Sequence, residues 1–94
     1  MSNLSENTNY VVILSSESKA FFESAVSQLQ KKLDRCFDRL KIEPCYHPNI
    51  KLLKGELSGY YRYRLGDYRV IYEVNQSDRV VIIVLIGHRA RIYE

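Results

Sequence analysis

With 94 residues, 46% of them hydrophobic and 27% charged, the chain has the size and composition of one soluble globular domain with a modest core. Its longest apolar run, VVIIVLI at residues 80–86, has seven residues, far below the roughly 20 that a membrane helix needs, so neither a transmembrane segment nor a membrane partner is expected. The net charge of +3 is unevenly placed: residues 1–49 hold six Lys/Arg and six Asp/Glu, while residues 50–94 hold eight against five, a basic excess in one half that points to an anionic partner.

Residues 1–9 are polar and lack the basic and apolar regions of a signal peptide, which predicts a loose tail on a cytoplasmic protein and one domain over 10–94. The β-prone run Tyr10-Val11-Val12-Ile13-Leu14 ends at Ser15-Ser16, a pair able to cap a helix. Phe22, Val26, Leu29, Leu33, Cys36, Phe37 and Leu40 then recur at spacings of three and four, the mark of an amphipathic helix. Ser27 and Gln30 have capping-box spacing, so a break near Ser27 and a helical hairpin over 17–26 and 28–41 are expected, with one long helix as the alternative. Pro44 ends the helical region, and Pro48 keeps the next loop non-helical. Cys36 falls on the apolar stripe as a core residue. Cys36 and Cys45 lack CxxC spacing and form no ligand pattern with His47 or His88, so no metal site is expected and a reduced setting fits best.

Residues 50–55 predict a short strand or extended lead-in, and strands at 59–65, 68–75 and 80–87 form an antiparallel meander. Its apolar face, Tyr61, Tyr63, Leu65, Tyr68, Val70, Tyr72, Ile82, Val84 and Ile86, needs a cover that only the helical stripe can supply. The expected fold is α+β, with a helical hairpin on one face of an antiparallel sheet in the order β-α-α-β-β-β. Residues 80–86 are apolar on both faces and predict an interior strand. Lys31, Lys32, Arg35 and Arg39 interleave with Asp34 and Asp38 as a solvated helix face.

The segment YRYRLGDYRVIYEV carries the strongest local signal. Apolar and basic residues alternate from Tyr61 to Leu65, and Gly66-Asp67 offers a two-residue hairpin turn. That turn pairs Leu65 with Tyr68, Arg64 with Arg69, Tyr63 with Val70 and Arg62 with Ile71, and puts three arginines on one face. Facing like charges are unfavourable by roughly 0.2–1 kcal/mol, so Arg64 and Arg69 splay into solvent, await an anion or engage an acid such as Glu73. A five-residue loop over 75–79 would pair Val74 with Val80 and bring Arg89 and Tyr93 onto the same face. A bulge at Gly87 would reverse this and bring in His88 instead.

Together, Lys51-Leu52-Leu53-Lys54-Gly55, the run GYYRYRLGDYRVIY from Gly59, Ile86-Gly87-His88-Arg89 and Tyr93 resemble the RelE/ParE superfamily of bacterial toxins, and more closely its RelE branch. The resemblance implies a metal-independent endoribonuclease that needs no cofactor, cuts mRNA in the ribosomal A site, and is neutralised by a cognate acidic antitoxin, through which alone it meets operator DNA. By matching positions it implies catalytic roles for Arg64, Arg69, Arg89 and Tyr93, and phosphate binding at Arg62. The spacing from Arg89 to Tyr93 is shorter than in some relatives.

Attack by the RNA's own 2′-hydroxyl places extra negative charge on a five-coordinate phosphorus, which a cluster of guanidiniums offsets directly. Arginine is a poor base, and tyrosine suits an orienter or weak acid. His88 is of a type that titrates near neutrality; catalytic, RNA-contact and structural roles stay open for it. Lys51 and Lys54 extend the phosphate-binding surface or are plain surface residues. Two alternatives remain: a ParE-like inhibitor of DNA gyrase, and an inert scaffold that binds RNA or antitoxin.

Overall fold

The computed structural model describes residues 9–92; the expected tail (apart from Asn9) and Tyr93 lie outside the described residues. The chain forms β1 (Val11–Leu14), α1 (Ser16–Ser24), α2 (Ser27–Ile42), β2 (Ile50–Leu52), a 3-10 turn (Gly55–Leu57), β3 (Tyr61–Leu65), β4 (Tyr68–Asn75) and β5 (Val80–His88). Among these residues no helix is long and apolar enough to cross a membrane.

Ser15 caps α1 as its position suggests, its Oγ accepting the Ser18 N–H at 3.1 Å. The helix break falls where expected, but not by a capping box. Val26 takes the cap position without a side-chain bond, and Gln30 Nε2 instead donates to Phe22 O at 2.7 Å, closing the corner between the helices. Glu43 turns extended after α2, and the buried Pro44 prevents its resumption. Leu33, Cys36, Phe37 and Leu40 are the buried stripe of α2.

The sheet has five strands in the order β1-β5-β4-β3-β2. The meander is antiparallel throughout, and β2 adds antiparallel to β3, whereas β1 pairs in parallel with β5. The sheet is therefore mixed: the helical hairpin carries the chain from β1 at one edge to β2 at the other, and the meander then returns to set β5 parallel beside β1. With β1 and β4 on either side, β5 is interior, as its apolar faces predict. The α2 stripe packs on Tyr63, Val70, Tyr72, Val81, Ile83 and Ile86, which form the main core with Tyr10.

The first hairpin has the register derived from its turn, Leu65 opposite Tyr68 through Arg62 opposite Ile71. The second differs. Asn75 pairs with Val80 and Val74 with Val81, leaving a four-residue loop that Arg79 closes at φ 58°. Val81 and Ile83 consequently face the helices in place of Ile82 and Val84, which corrects the expected core. Between Ile83 (opposite Tyr72) and Leu85 (opposite Ile71) β5 holds one extra residue, Val84. This bulge, rather than one at Gly87, restores the expected parity, returning Ile86 to the core and turning Gly87 to the other face. It is stabilised from outside the strand: Ser18 Oγ donates to Ile83 O at 3.1 Å and Ser15 Oγ to Val84 O at 3.2 Å.

The face away from the helices is not wholly polar. Leu53, Ile71 and Ile92 are buried there, with Leu57, Tyr60, Val84 and Leu85 packed around them. This second apolar cluster anchors the C-terminal turn beside the arginines.

Candidate phosphate-binding face

Alternation along β3 and β4 turns Arg62, Arg64 and Arg69 to the face away from the helices, and β2 extends it by placing Lys51 opposite Arg62. Arg64 N–H donates to Asn49 O at 2.9 Å, so the pairing continues past β2 to the row that holds Arg64, Arg69 and Gly87. Four cations thus share one face. Lys54 is exposed just before the 3-10 turn, beyond the paired residues of β2.

Arg64 and Arg69 face each other but have different surroundings. Arg64 is exposed, whereas Arg69 is only 9% exposed and its Nη1 donates to Gly66 O at 2.9 Å and Tyr68 O at 3.0 Å. Arg69 thereby turns toward the hairpin tip, which relieves the like-charge contact. Glu73 does not serve that purpose, since it sits four residues further along β4, about 13 Å at strand rise.

Opposite Arg69 lies Gly87, and here the absent side chain matters. A Cβ would come within 3.0 Å of Ile92 Cδ1 and 3.3 Å of its Cγ1, so glycine lets the C-terminal turn close over the sheet. Arg89 follows β5 directly. Its N–H donates to Asp67 O at 2.7 Å, and its Nε lies 3.9 Å from Asp67 Oδ1 with both side chains largely exposed. The guanidinium is therefore held at the hairpin end of the sheet, the end that carries Arg64 and Arg69, by a weak and easily exchanged ion pair.

His88 pairs with Tyr68 and meets its ring edge-on at 5.5 Å, on the side opposite to the arginine row. Its Nδ1 accepts the Ala90 N–H at 3.1 Å. Tyr93 lies outside the described residues, while Ile92 before it is buried against the second cluster.

Two tyrosines that stack on each other across β3 and β4, Tyr61 and Tyr72, are poorly suited to proton transfer. A hydrogen bond to Cys45, then burial, pushes the Tyr61 phenol up to about 12. Burial raises Tyr72 further, and its hydroxyl donates to Pro44 O at 2.6 Å. The Cys36 thiol is also pushed up to about 12, by burial, and so stays neutral. Arg79 is occupied elsewhere, 4.9 Å from the centroid of the Tyr10 ring. What the face can do chemically is bind and neutralise phosphate oxygens, with guanidiniums from three separate places converging near the hairpin tip. Sequence reasoning missed Asp67 as the partner of Arg89 and Ile92 as the anchor of the C-terminal turn; the turn position of Asp67 was a partial signal for the first, while the even number of Ile92 pointed to the wrong face.

The chain matches known proteins over most of its length. The family model for the ParE toxin of type II toxin–antitoxin system, parDE, covers residues 12–93. A chain of the archaeal RelE–RelB complex from Pyrococcus horikoshii OT3 is 33% identical, with a TM-score of 0.74 over 89% of this chain and 99% of that one. The toxin–antitoxin complex RelBE2 of Mycobacterium tuberculosis gives a TM-score of 0.75 at 24% identity, over 86% and 99% of the two chains. At that identity the likeness is one of fold. Toxin RelG of Mycobacterium tuberculosis is 40% identical over 43 residues, 46% of this chain and 49% of that protein, so the match spans about half its length. The chain belongs to the RelE/ParE superfamily of toxins from type II toxin–antitoxin systems.

Proposed function

We propose that this toxin is an endoribonuclease of the RelE kind, which cleaves mRNA held in the ribosomal A site and thereby stops translation in the cytoplasm. The observation that carries the reading is the row of Lys51, Arg62, Arg64 and Arg69 on one sheet face, with Arg89 at its end. In the proposed reaction the RNA's 2′-oxygen bonds to phosphorus as its proton leaves, and the 5′-oxygen departs as it gains one. The products are a 2′,3′-cyclic phosphate and a 5′-hydroxyl end, and neither a metal nor a cofactor enters this scheme. Arg64, Arg69 and Arg89 offset the charge that builds on the phosphorus, and Tyr93 orients or protonates the leaving oxygen. Arg62 and Lys51, with Lys54 at the margin, hold flanking phosphates.

The related complexes contain RelB, and for this chain a cognate acidic antitoxin is the corresponding partner, which would also be its only route to operator DNA. The family model bears the ParE name, which supports inhibition of DNA gyrase as the second reading. Purified protein incubated with translating ribosomes, followed by mapping of RNA ends, is expected to give cuts within codons at the A site. Intact mRNA beside lost supercoiling in a parallel gyrase assay would reverse the assignment.

A further inference from the structure

We propose that His88 is a positioning residue for Arg89, acting through its ring Nδ1 as the side-chain acceptor of the C-terminal turn. This rests on the reading that Arg89 contacts the scissile phosphate. Each backbone N–H from residue 89 to 92 goes to one of two residues. Arg89 N–H donates to Asp67 O at 2.7 Å, Ala90 N–H to His88 Nδ1 at 3.1 Å, and Arg91 and Ile92 N–H to His88 O at 2.8 and 3.2 Å. Three of the four bonds that shape the turn therefore converge on His88, and one of them uses the imidazole.

To accept from Ala90, Nδ1 must carry a lone pair, so the ring is neutral with its proton on Nε2. The edge-on contact with Tyr68 keeps the ring plane turned toward the turn. Without that bond the Ala90 N–H is unpaired, the turn loosens, and Arg89 is left with only its backbone bond and a weak ion pair to Asp67. Protonation has the same result as removal, because an N–H at Nδ1 would point at the N–H of Ala90. The ring borders an open depression of about 740 Å³ shared with Glu17 and Phe21 of α1, Tyr68 of β4, and Arg91; Asp67 and Arg89 are the charged groups at the hairpin tip.

Asparagine separates positioning from chemistry, since its Oδ1 can accept from the Ala90 N–H but cannot exchange protons. RNA cleavage on translating ribosomes is measured for wild type, His88→Asn, His88→Ala and Arg89→Ala, with the Ala90 amide followed by hydrogen exchange in NMR. His88→Ala is expected to lose about 10- to 100-fold in cleavage, the scale of a misplaced catalytic group, while His88→Asn keeps most of it. Activity of the wild type should fall as the ring protonates, and that of His88→Asn should not. Ala90 protection should persist in His88→Asn and vanish in His88→Ala; equal protection in all of these proteins overturns the positioning role whatever the cleavage assay gives. Equal loss of cleavage in both His88 variants, with Ala90 still protected in His88→Asn, would make the imidazole itself catalytic and also overturn it. Normal cleavage by Arg89→Ala would instead sink the underlying assignment of Arg89.

Discussion

Arg64 and Arg69 stand opposite each other, yet the structure predicts opposite consequences for replacing them. Arg69 is nearly buried, and its Nη1 joins the carbonyls of Gly66 and Tyr68 at 2.9 and 3.0 Å, tying the strand to the hairpin tip. A hydrogen bond involving a charged group contributes about 1.5–3 kcal/mol net. Because both bonds leave one nitrogen they do not add fully, and Arg69→Gln should destabilise by about 2–4 kcal/mol. Arg64 is exposed; Arg64→Gln removes a facing like charge, so stability should be unchanged or rise by up to about 1 kcal/mol. For a domain of this size each kcal/mol moves the Tm by about 4–8 °C. Arg69→Gln should therefore melt at least about 8 °C below wild type and Arg64→Gln at or slightly above it. Urea melts compared on midpoint and slope give the free energies independently, and both variants should weaken RNA binding. Equal stability of the two variants would refute the idea that the Arg69 guanidinium holds the hairpin tip.

Gly87→Val should push Ile92 off the second cluster and lose about 1.5–3 kcal/mol of its burial; a wild-type urea midpoint would show that the turn does not rest on that contact. Tyr72→Phe deletes the 2.6 Å bond to Pro44 O and should lower stability by about 1–3 kcal/mol, read as a shifted midpoint with unchanged slope. Burial raises Cys36 from its ordinary 9 to about 12 in the folded state, so the neutral thiol's contribution to stability is full below about pH 9 and lost as pH rises toward 12. A thiol reagent near neutral pH should accordingly label the half-buried Cys45 well before Cys36; equal rates in folded protein would contradict the buried placement. An acidic antitoxin should cover the face of Lys51, Arg62, Arg64 and Arg69 or displace Tyr93, and a complex with the antitoxin confined to the helical side and all of these open would exclude both routes.

The parts of the fold that were legible in the sequence are those where one physical signal dominates. A two-residue turn leaves a hairpin little freedom, so YRYRLGDYRV fixed both its register and the arginine face. The α2 stripe was equally plain, because Leu33, Cys36, Phe37 and Leu40 follow helical spacing. Ser27 misled in detail: the break is there, yet the extended Val26 makes the cap and the Gln30 amide binds Phe22 O, a long-range choice that spacing does not encode. The parallel pairing of β1 was invisible because four apolar residues carry no mark of direction. Asp67 looked like turn chemistry alone, and only folding brings it beside Arg89.

The last strand shows why a wrong step there did not displace the site. VVIIVLI is apolar on both faces and so carries almost no register information. A four-residue loop flips its parity relative to a five-residue one, and the bulge at Val84 flips it back. Had the first register run on unbroken, Ile86 would have come opposite Arg69, and Gly87 would have faced the helices. The bulge exchanges them, setting the one residue without a side chain against the buried arginine and leaving the space that Ile92 fills. The hydroxyls that take up the Ile83 and Val84 carbonyls come from Ser15 and Ser18, at the start of α1. A helix cap at one end of the chain thus helps to set which residue faces the guanidinium near the other.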